Sequence, residues 1–327
     1  MRREVVWKRQ WMSEEVFLDL LGATNLIPGP NSTEMALHIG LERAGWRGLL
    51  VAGFSFILPA VLMTGVLAWG YQRYGQIPQV QTFFAGMQPA ILAIIMNVML
   101  PLARKACKTR ELLAFGLTAF LLALAGCNEI FILFGAGFFA LTLHLLQNRS
   151  ARRRLHSVFP LPLFLTFFKI GALLYGSGYV LFAFLDAEFV AKGLLARQVL
   201  LDAIAAGQFT PGPLFSSATF VGYQLAGIVG ALLATIGIFL PAFCYVGLLG
   251  RFIPKMRASQ NFSVFLDAVN VAAVALVFVV CSVLSKTALS DWRGILIFFA
   301  STLVLHKFPK VNSVFILLTA AALGYFV

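Results

Sequence analysis

Two short stretches hold most of the chemistry this sequence could perform. The first runs Asn25-Leu26-Ile27-Pro28-Gly29-Pro30-Asn31-Ser32-Thr33, and the second runs Gln208-Phe209-Thr210-Pro211-Gly212-Pro213-Leu214-Phe215-Ser216-Ser217. Proline cannot donate a backbone hydrogen bond, so a helix arriving at either Pro-Gly-Pro must stop and another must start beyond it. The new helix opens on small hydroxyl and amide side chains, Asn31, Ser32 and Thr33 in one case and Ser216 and Ser217 in the other. A helix N-terminus carries unpaired N–H groups and about half a positive charge, so it can hold an anion without a basic side chain. The bland reading is that these hydroxyls only cap helices. The symmetric pair favours a site, with Thr24, Asn25, Gln208 and Thr210 placed to complete the shell before each break and Thr219 following the second.

Few charges stand near these stretches. Lys169 lies inside the apolar run FLTFFKIGALLYGSGY, where an ammonium either faces a cavity or snorkels to the interface. Gly176 and Gly178 in the same run allow close backbone approach or close helix packing. Asp19 and Asp202 each precede their Pro-Gly-Pro by nine residues and are read as bracing or coupling groups. Glu34, in the first turn after the first break, has no acidic counterpart in the second half; His38 follows on the same helix face. No catalytic residue is expected: HExxH, GxSxG and paired aspartates are missing from the apolar runs, so the chain does not read as an enzyme. Cys107, Cys127, Cys244 and Cys281 have neither CxxC nor metal-ligand spacing, so neither metal nor cofactor is expected.

The elements that position these residues must sit in lipid. Of 327 residues, 60% are hydrophobic and 12% charged, and the mean hydropathy is +0.88. A soluble domain carries about twice that charge. The net charge of +12 falls in short connectors such as Arg104–Arg110 and Arg149–Arg154, the positive-inside pattern of a membrane protein, and no aromatic and basic platform for nucleic acid accompanies it. The basic N-terminus MRREVVWKRQW lacks the apolar core of a cleavable signal peptide.

Apolar runs near 46–72, 82–103, 160–184, 228–250 and 263–284 read as spans, with shorter crossings at 111–126, 129–147, 291–306 and 311–327. The segments 14–27 with 31–44, and 197–210 with 214–226, are too short to cross and are read as re-entrant hairpins around each Pro-Gly-Pro. The basic connectors 1–9, 42–47, 104–110 and 149–154 are assigned to the cytoplasmic side and 72–81, 185–197 and 223–227 to the outside, so the second hairpin opens from outside.

The halves repeat. Gly40, Ala44-Gly45, Gly48 and Leu58-Pro59-Ala60 match Gly222, Ala226-Gly227, Gly230 and Leu240-Pro241-Ala242, all 182 residues apart. The expected fold is therefore an all-α polytopic membrane protein of two inverted-topology repeats, residues 1–150 and 151–327, with re-entrant Pro-Gly-Pro helical hairpins. That architecture is typical of secondary transporters.

The segments LLGATNLIPGPNSTEMALHIG, AGWRGLLVAGFSFILPA, FFKIGALLYGSGYVLFAFLDAEFV and LLDAIAAGQFTPGPLFSSATFVGYQLAGIVGALLATIGIFLPAF resemble the bidomain chromate ion transporter family across nearly the whole chain. The resemblance implies a multi-pass protein of the bacterial plasma membrane that exports chromate, with sulfate as mimic or competitor. The partners are then the oxyanion and the lipid bilayer, with homo-oligomerisation left open. The family's usual first helix, with Phe-Gly-Gly-Pro, precedes the stretch found here at Arg3-Glu4-Val5-Val6. The alternative is a degenerate, non-transporting membrane subunit of that family.

Overall fold

The computed structural model describes residues 1–24, 27–125, 127, 131–133, 135–136, 161–175, 178–249, 260–308 and 311–326. Every regular element among them is helical. In the first half these are α1 (Glu14–Thr24), α2 (Asn31–Tyr74), α3 (Pro78–Ala106) and α4 (Arg110–Leu124). The second half holds α5 (Leu161–Leu173), α6 (Val180–Leu185), α7 (Arg197–Phe209), α8 (Ser217–Cys244), α9 (Gln260–Ala288), α10 (Trp292–Lys307) and α11 (Ser313–Phe326). Four helical stretches among the described residues, Asn31–Tyr74, Pro78–Ala106, Leu214–Leu248 and Val264–Ala288, are long and apolar enough to cross a membrane.

Both long arms break where the sequence repeats. In α2 the break is at Ala44 (φ −147°, ψ 26°) and Gly45 (φ 59°, ψ −146°). In α8 it is at Ala226 (φ −150°, ψ 30°) and Gly227 (φ 59°, ψ −147°). The chain doubles back at each break, bringing Gly40 onto Gly48 and Gly222 onto Gly230 with backbone against backbone. Beyond the breaks the two long arms pack on each other in opposite directions. Trp46 lies on Gly247, Gly53 on Phe243, and the Gln224 side chain donates to the Ala68 carbonyl at 2.9 Å. The two long arms thus pack antiparallel.

Part of the remaining packing is reciprocal: α3 lies against α10, and its equivalent α9 lies against α4. The core gathers α3, α5, α6, α7, α8 and α9, with Phe167, Phe182, Phe184, Phe215 and Phe220 fully buried.

One span is not a span. The sequence reads 160–184 as a single crossing, but the chain reverses after α5, and the segment Asp186–Val190 that follows α6 packs back onto α5. Phe167 and Phe189 stack with ring centroids 5.2 Å apart, and Lys169 pairs with Glu188. Had the chain run straight, 22 residues would separate those rings by some 30 Å at 1.5 Å per residue. The reversal falls between the end of α5 at Leu173 and the start of α6 at Val180. The expected connector at 185–197 therefore lies on the same face as the start of α5. The basic cluster Arg149–Arg154 lies outside the described residues.

Candidate functional site

Each Pro-Gly-Pro segment has a contact with the end of α5 or the start of the chain that follows it. The first Pro-Gly-Pro is buried, and the Gly29 N–H donates to the Leu174 carbonyl at 2.8 Å, fixing it to the end of α5. On the far side of the same turn, Gly178 packs against Leu214 and Phe215, the residues that follow the second Pro-Gly-Pro. Gly29 and Gly212 adopt φ of 140° and 149°, conformations that L side chains rarely take, so glycine is required at both tips. The tips differ in cover: Pro28 and Gly29 are enclosed, whereas Pro211 and Gly212 are exposed.

Hydrogen bonding separates capping hydroxyls from unassigned ones. Thr210 donates to the Ala206 carbonyl at 2.7 Å, Ser217 to Leu214 at 2.9 Å and Thr24 to Leu21 at 2.9 Å. Thr219 bonds Thr235 at 2.8 Å, and Gln208 donates to the Tyr179 hydroxyl at 3.0 Å. The Thr33 and Ser216 hydroxyls are fully buried and have no partner. Each is the third residue after its Pro-Gly-Pro. A buried hydroxyl left unpaired costs about 1–3 kcal/mol, so two at equivalent positions call for an explanation. Ser32, also expected in the site, is exposed, because successive residues of a helix point about 100° apart. Glu34 and the His38 Nε2 join the unpartnered set: both carboxylate oxygens of Glu34 are buried without a hydrogen bond, packed against Gly29.

The other expected residues fall as follows. Asn31 lines a cavity at the first tip, while Asn25 and Gly176 lie outside the described residues. Lys169 does not stand free; it and Lys192 both pair with the largely buried Glu188. The N-terminal turn repeats half of this arrangement, since Lys8 pairs with Glu4 at 2.6 Å with the same spacing as Lys192 and Glu188. Asp19 is exposed on α1, whereas its counterpart Asp202 is buried, 2.7 Å from the Tyr71 hydroxyl and 3.5 Å from the Gln88 amide nitrogen. That contact joins α7 to α2 and α3.

Two cavities approach from opposite ends of α3 and α9. One, of about 630 Å³, is lined by Gln76, Gln81, Asp291 and Arg293 and reaches Tyr71, Gln88 and Asp202. The other, of about 670 Å³, is lined by Lys105, Lys108, Asp267 and Asn270 and reaches Thr24 and Asn31. Lys108 and Asp267 pair at 3.3 Å. Gln88 and Asn270, one in each cavity, are 182 residues apart, the offset of the repeat. Sequence reasoning did not single out Tyr71, Gln88, Glu188 or Asn270; the repeat offset was the available signal for Gln88 and Asn270. Thr33 and Ser216 line neither cavity, so both are closed off here, with the second cavity ending nearest the first tip.

This arrangement offers two helix starts and two unpaired hydroxyls, with the basic residues Lys105, Lys108 and Arg293 in the flanking cavities. It suits a small anion that must bind and be released. Among the described residues no group of His, Cys, Asp and Glu could hold a metal ion.

Comparison with known proteins agrees. The chromate transporter family model matches residues 1–141 and 161–325. A probable chromate transport protein of Synechococcus elongatus is 28% identical over 319 residues, covering 91% of this chain and 81% of the relative. A chromate transport protein of Cupriavidus metallidurans is 27% identical over 346 positions, covering 99% and 86%. One from Pseudomonas aeruginosa is 28% identical over 363 positions, covering 100% and 86%. No solved structure matches. With its family match spanning both halves, this all-α membrane chain belongs to the chromate transporter family.

Proposed function

We propose that the chain is a secondary transporter that carries chromate out of the cell across a bacterial plasma membrane, with sulfate as mimic or competitor. The observation that carries this reading is the pair of buried, unpartnered hydroxyls, Thr33 and Ser216, each in the first turn of a helix that restarts after a Pro-Gly-Pro. A tetrahedral dianion between them accepts hydrogen bonds from both hydroxyls and from first-turn N–H groups. Neutral donors hold it without the tight grip of an ion pair, which leaves release easy.

The two cavities supply the routes in and out. The cavity with Lys105 and Lys108 faces the cytoplasm by the positive-inside rule and gathers anions electrostatically. The cavity of Gln76, Gln81 and Arg293 faces outside. The opposed long arms of α2 and α8 support two inverted repeats, residues 1–150 and 151–327, that rock about the tips to open each cavity in turn. In that cycle Asp202, held by Tyr71 and Gln88, closes the outer route in the state described. Lys169 belongs to the brace between α5 and the segment Asp186–Val190 and not to the anion shell.

The test is labelled chromate uptake into everted membrane vesicles. Wild type should take up chromate saturably, with sulfate competing, and Thr33→Val combined with Ser216→Ala should raise the half-saturating concentration about tenfold or more. An unshifted curve for the double variant removes the hydroxyl pair from the site.

A further inference from the structure

The two helix starts are not equivalent, and the difference is an acid. Where the second tip has Ser217, whose hydroxyl is satisfied by the Leu214 carbonyl, the first tip has Glu34. Glu34 is fully buried, and neither of its carboxylate oxygens has a hydrogen-bond partner. It packs against Gly29, and Gly29 is tied through its N–H to the Leu174 carbonyl, so the carboxyl sits at the tip itself. The titratable groups that face it are Tyr175 at the end of α5, Tyr245 beyond α8, and His38 one turn along its own helix, whose Nε2 is likewise unpartnered. Tyr245 already donates to the Ala172 carbonyl at 3.0 Å. No lysine or arginine among the described residues pairs with Glu34, and Lys169, the cation on the neighbouring α5, is paired with Glu188.

A carboxylate in such a place is stable only with a counter-charge or a proton. An oxyanion bound one turn away makes the ionised form less stable still. The neutral acid, in contrast, has an O–H to donate, and an oxyanion oxygen can accept it. Proton and anion therefore stabilise each other at this tip, and by linkage each must raise the affinity for the other.

We propose that Glu34 is a proton-binding site that couples one proton to each oxyanion bound between the two tips. It takes the proton from water in the cavity that reaches Asn31, binds the anion as the neutral acid, and releases both on the opposite side. His38 assists as the next unpartnered group on that helix face. This assignment rests on the transport reading above: a proton leaving with each dianion reduces the charge carried from two to one, and the inside-negative membrane potential drives that charge out.

The experiment uses the full chain reconstituted in liposomes, with labelled sulfate as probe because sulfate stays a dianion across the pH range while chromate itself takes up a proton. Binding and counterflow are measured from pH 5 to 9 for wild type, Glu34→Gln and Glu34→Asp. For wild type, the sulfate concentration for half-saturation should rise about tenfold per pH unit once Glu34 ionises, the slope of a single linked proton. Glu34→Gln should bind sulfate with an affinity that no longer depends on pH and should lose accumulation driven by a pH gradient. Glu34→Asp should keep a pH-dependent affinity. A Glu34→Gln protein that still accumulates sulfate on a pH gradient, or that keeps the wild-type pH slope, overturns the assignment. So does one that reaches the membrane yet binds no sulfate at any pH, which would make Glu34 structural. If wild type carries neither chromate nor sulfate, the transport reading itself falls and takes this one with it.

Discussion

Replacing Gly212 with alanine separates a tip that functions from a tip that merely turns. Gly212 has φ of 149°, and a Cβ placed there would lie 2.6 Å from the Ala60 Cβ on α2. Backbone strain in that region costs about 1–3 kcal/mol, and forcing an extra methyl into a filled contact costs about as much again. Roughly 3 kcal/mol against the native tip is a factor of about a hundred in its population. Gly227 is the control. Its φ is also positive, at 59°, but a Cβ there would meet nothing within 4 Å, so only about 1–2 kcal/mol of left-handed strain applies. Initial rates of chromate uptake into everted vesicles, normalised to membrane-inserted protein, should fall far more for Gly212→Ala than for Gly227→Ala, by at least about tenfold. Equal rates for the two variants would refute the assignment of the second Pro-Gly-Pro to the transport site.

Other perturbations reach other parts of the account. Lys169→Gln should leave chromate affinity within about twofold of wild type and lower stability by about 1 kcal/mol after solvent screening of the half-exposed ammonium; a tenfold loss of affinity would return Lys169 to the anion shell. In a cysteine-free background, a cysteine at position 76 should react with an impermeant maleimide added outside intact cells, and one at position 108 should react only in everted vesicles; labelling of both from one side would contradict the opposed cavities. Tyr71→Phe removes the hydroxyl that donates to buried Asp202 at 2.7 Å, and thermal unfolding in detergent should show a loss of about 1.5–3 kcal/mol; an unchanged melting temperature would mean that the contact braces nothing.

Much of the fold is legible in the sequence because its signals are local. Proline at each tip dictates a break, and glycine at 45 and 227 permits the reversals whose dihedral angles agree to within a few degrees. The reversal after α5 is not local. Hydropathy measures whether a run suits lipid, and the residues on both sides of the reversal are as apolar as a span, so the turn after α5 is hidden. The role of Lys169 was hidden with it, since Glu188 comes within reach only after the chain turns back. Asp19 and Asp202 look alike in sequence and differ in the fold, because Tyr71 and Gln88, which enclose Asp202, come from the other half of the chain. At the site, composition marked the hydroxyl-rich helix starts, but helical phase decided that Thr33 turns inward and Ser32 outward.

The central claim is that an oxyanion binds between Thr33 and Ser216 and crosses the membrane from there. The most direct test is equilibrium exchange of labelled chromate by the purified full chain in liposomes, comparing wild type with the Thr33→Val and Ser216→Ala double variant. Wild type should show saturable exchange, inhibited by sulfate, and the double variant a half-saturating concentration at least about tenfold higher at equal protein incorporation. Saturable exchange with the same half-saturation in both proteins would contradict it.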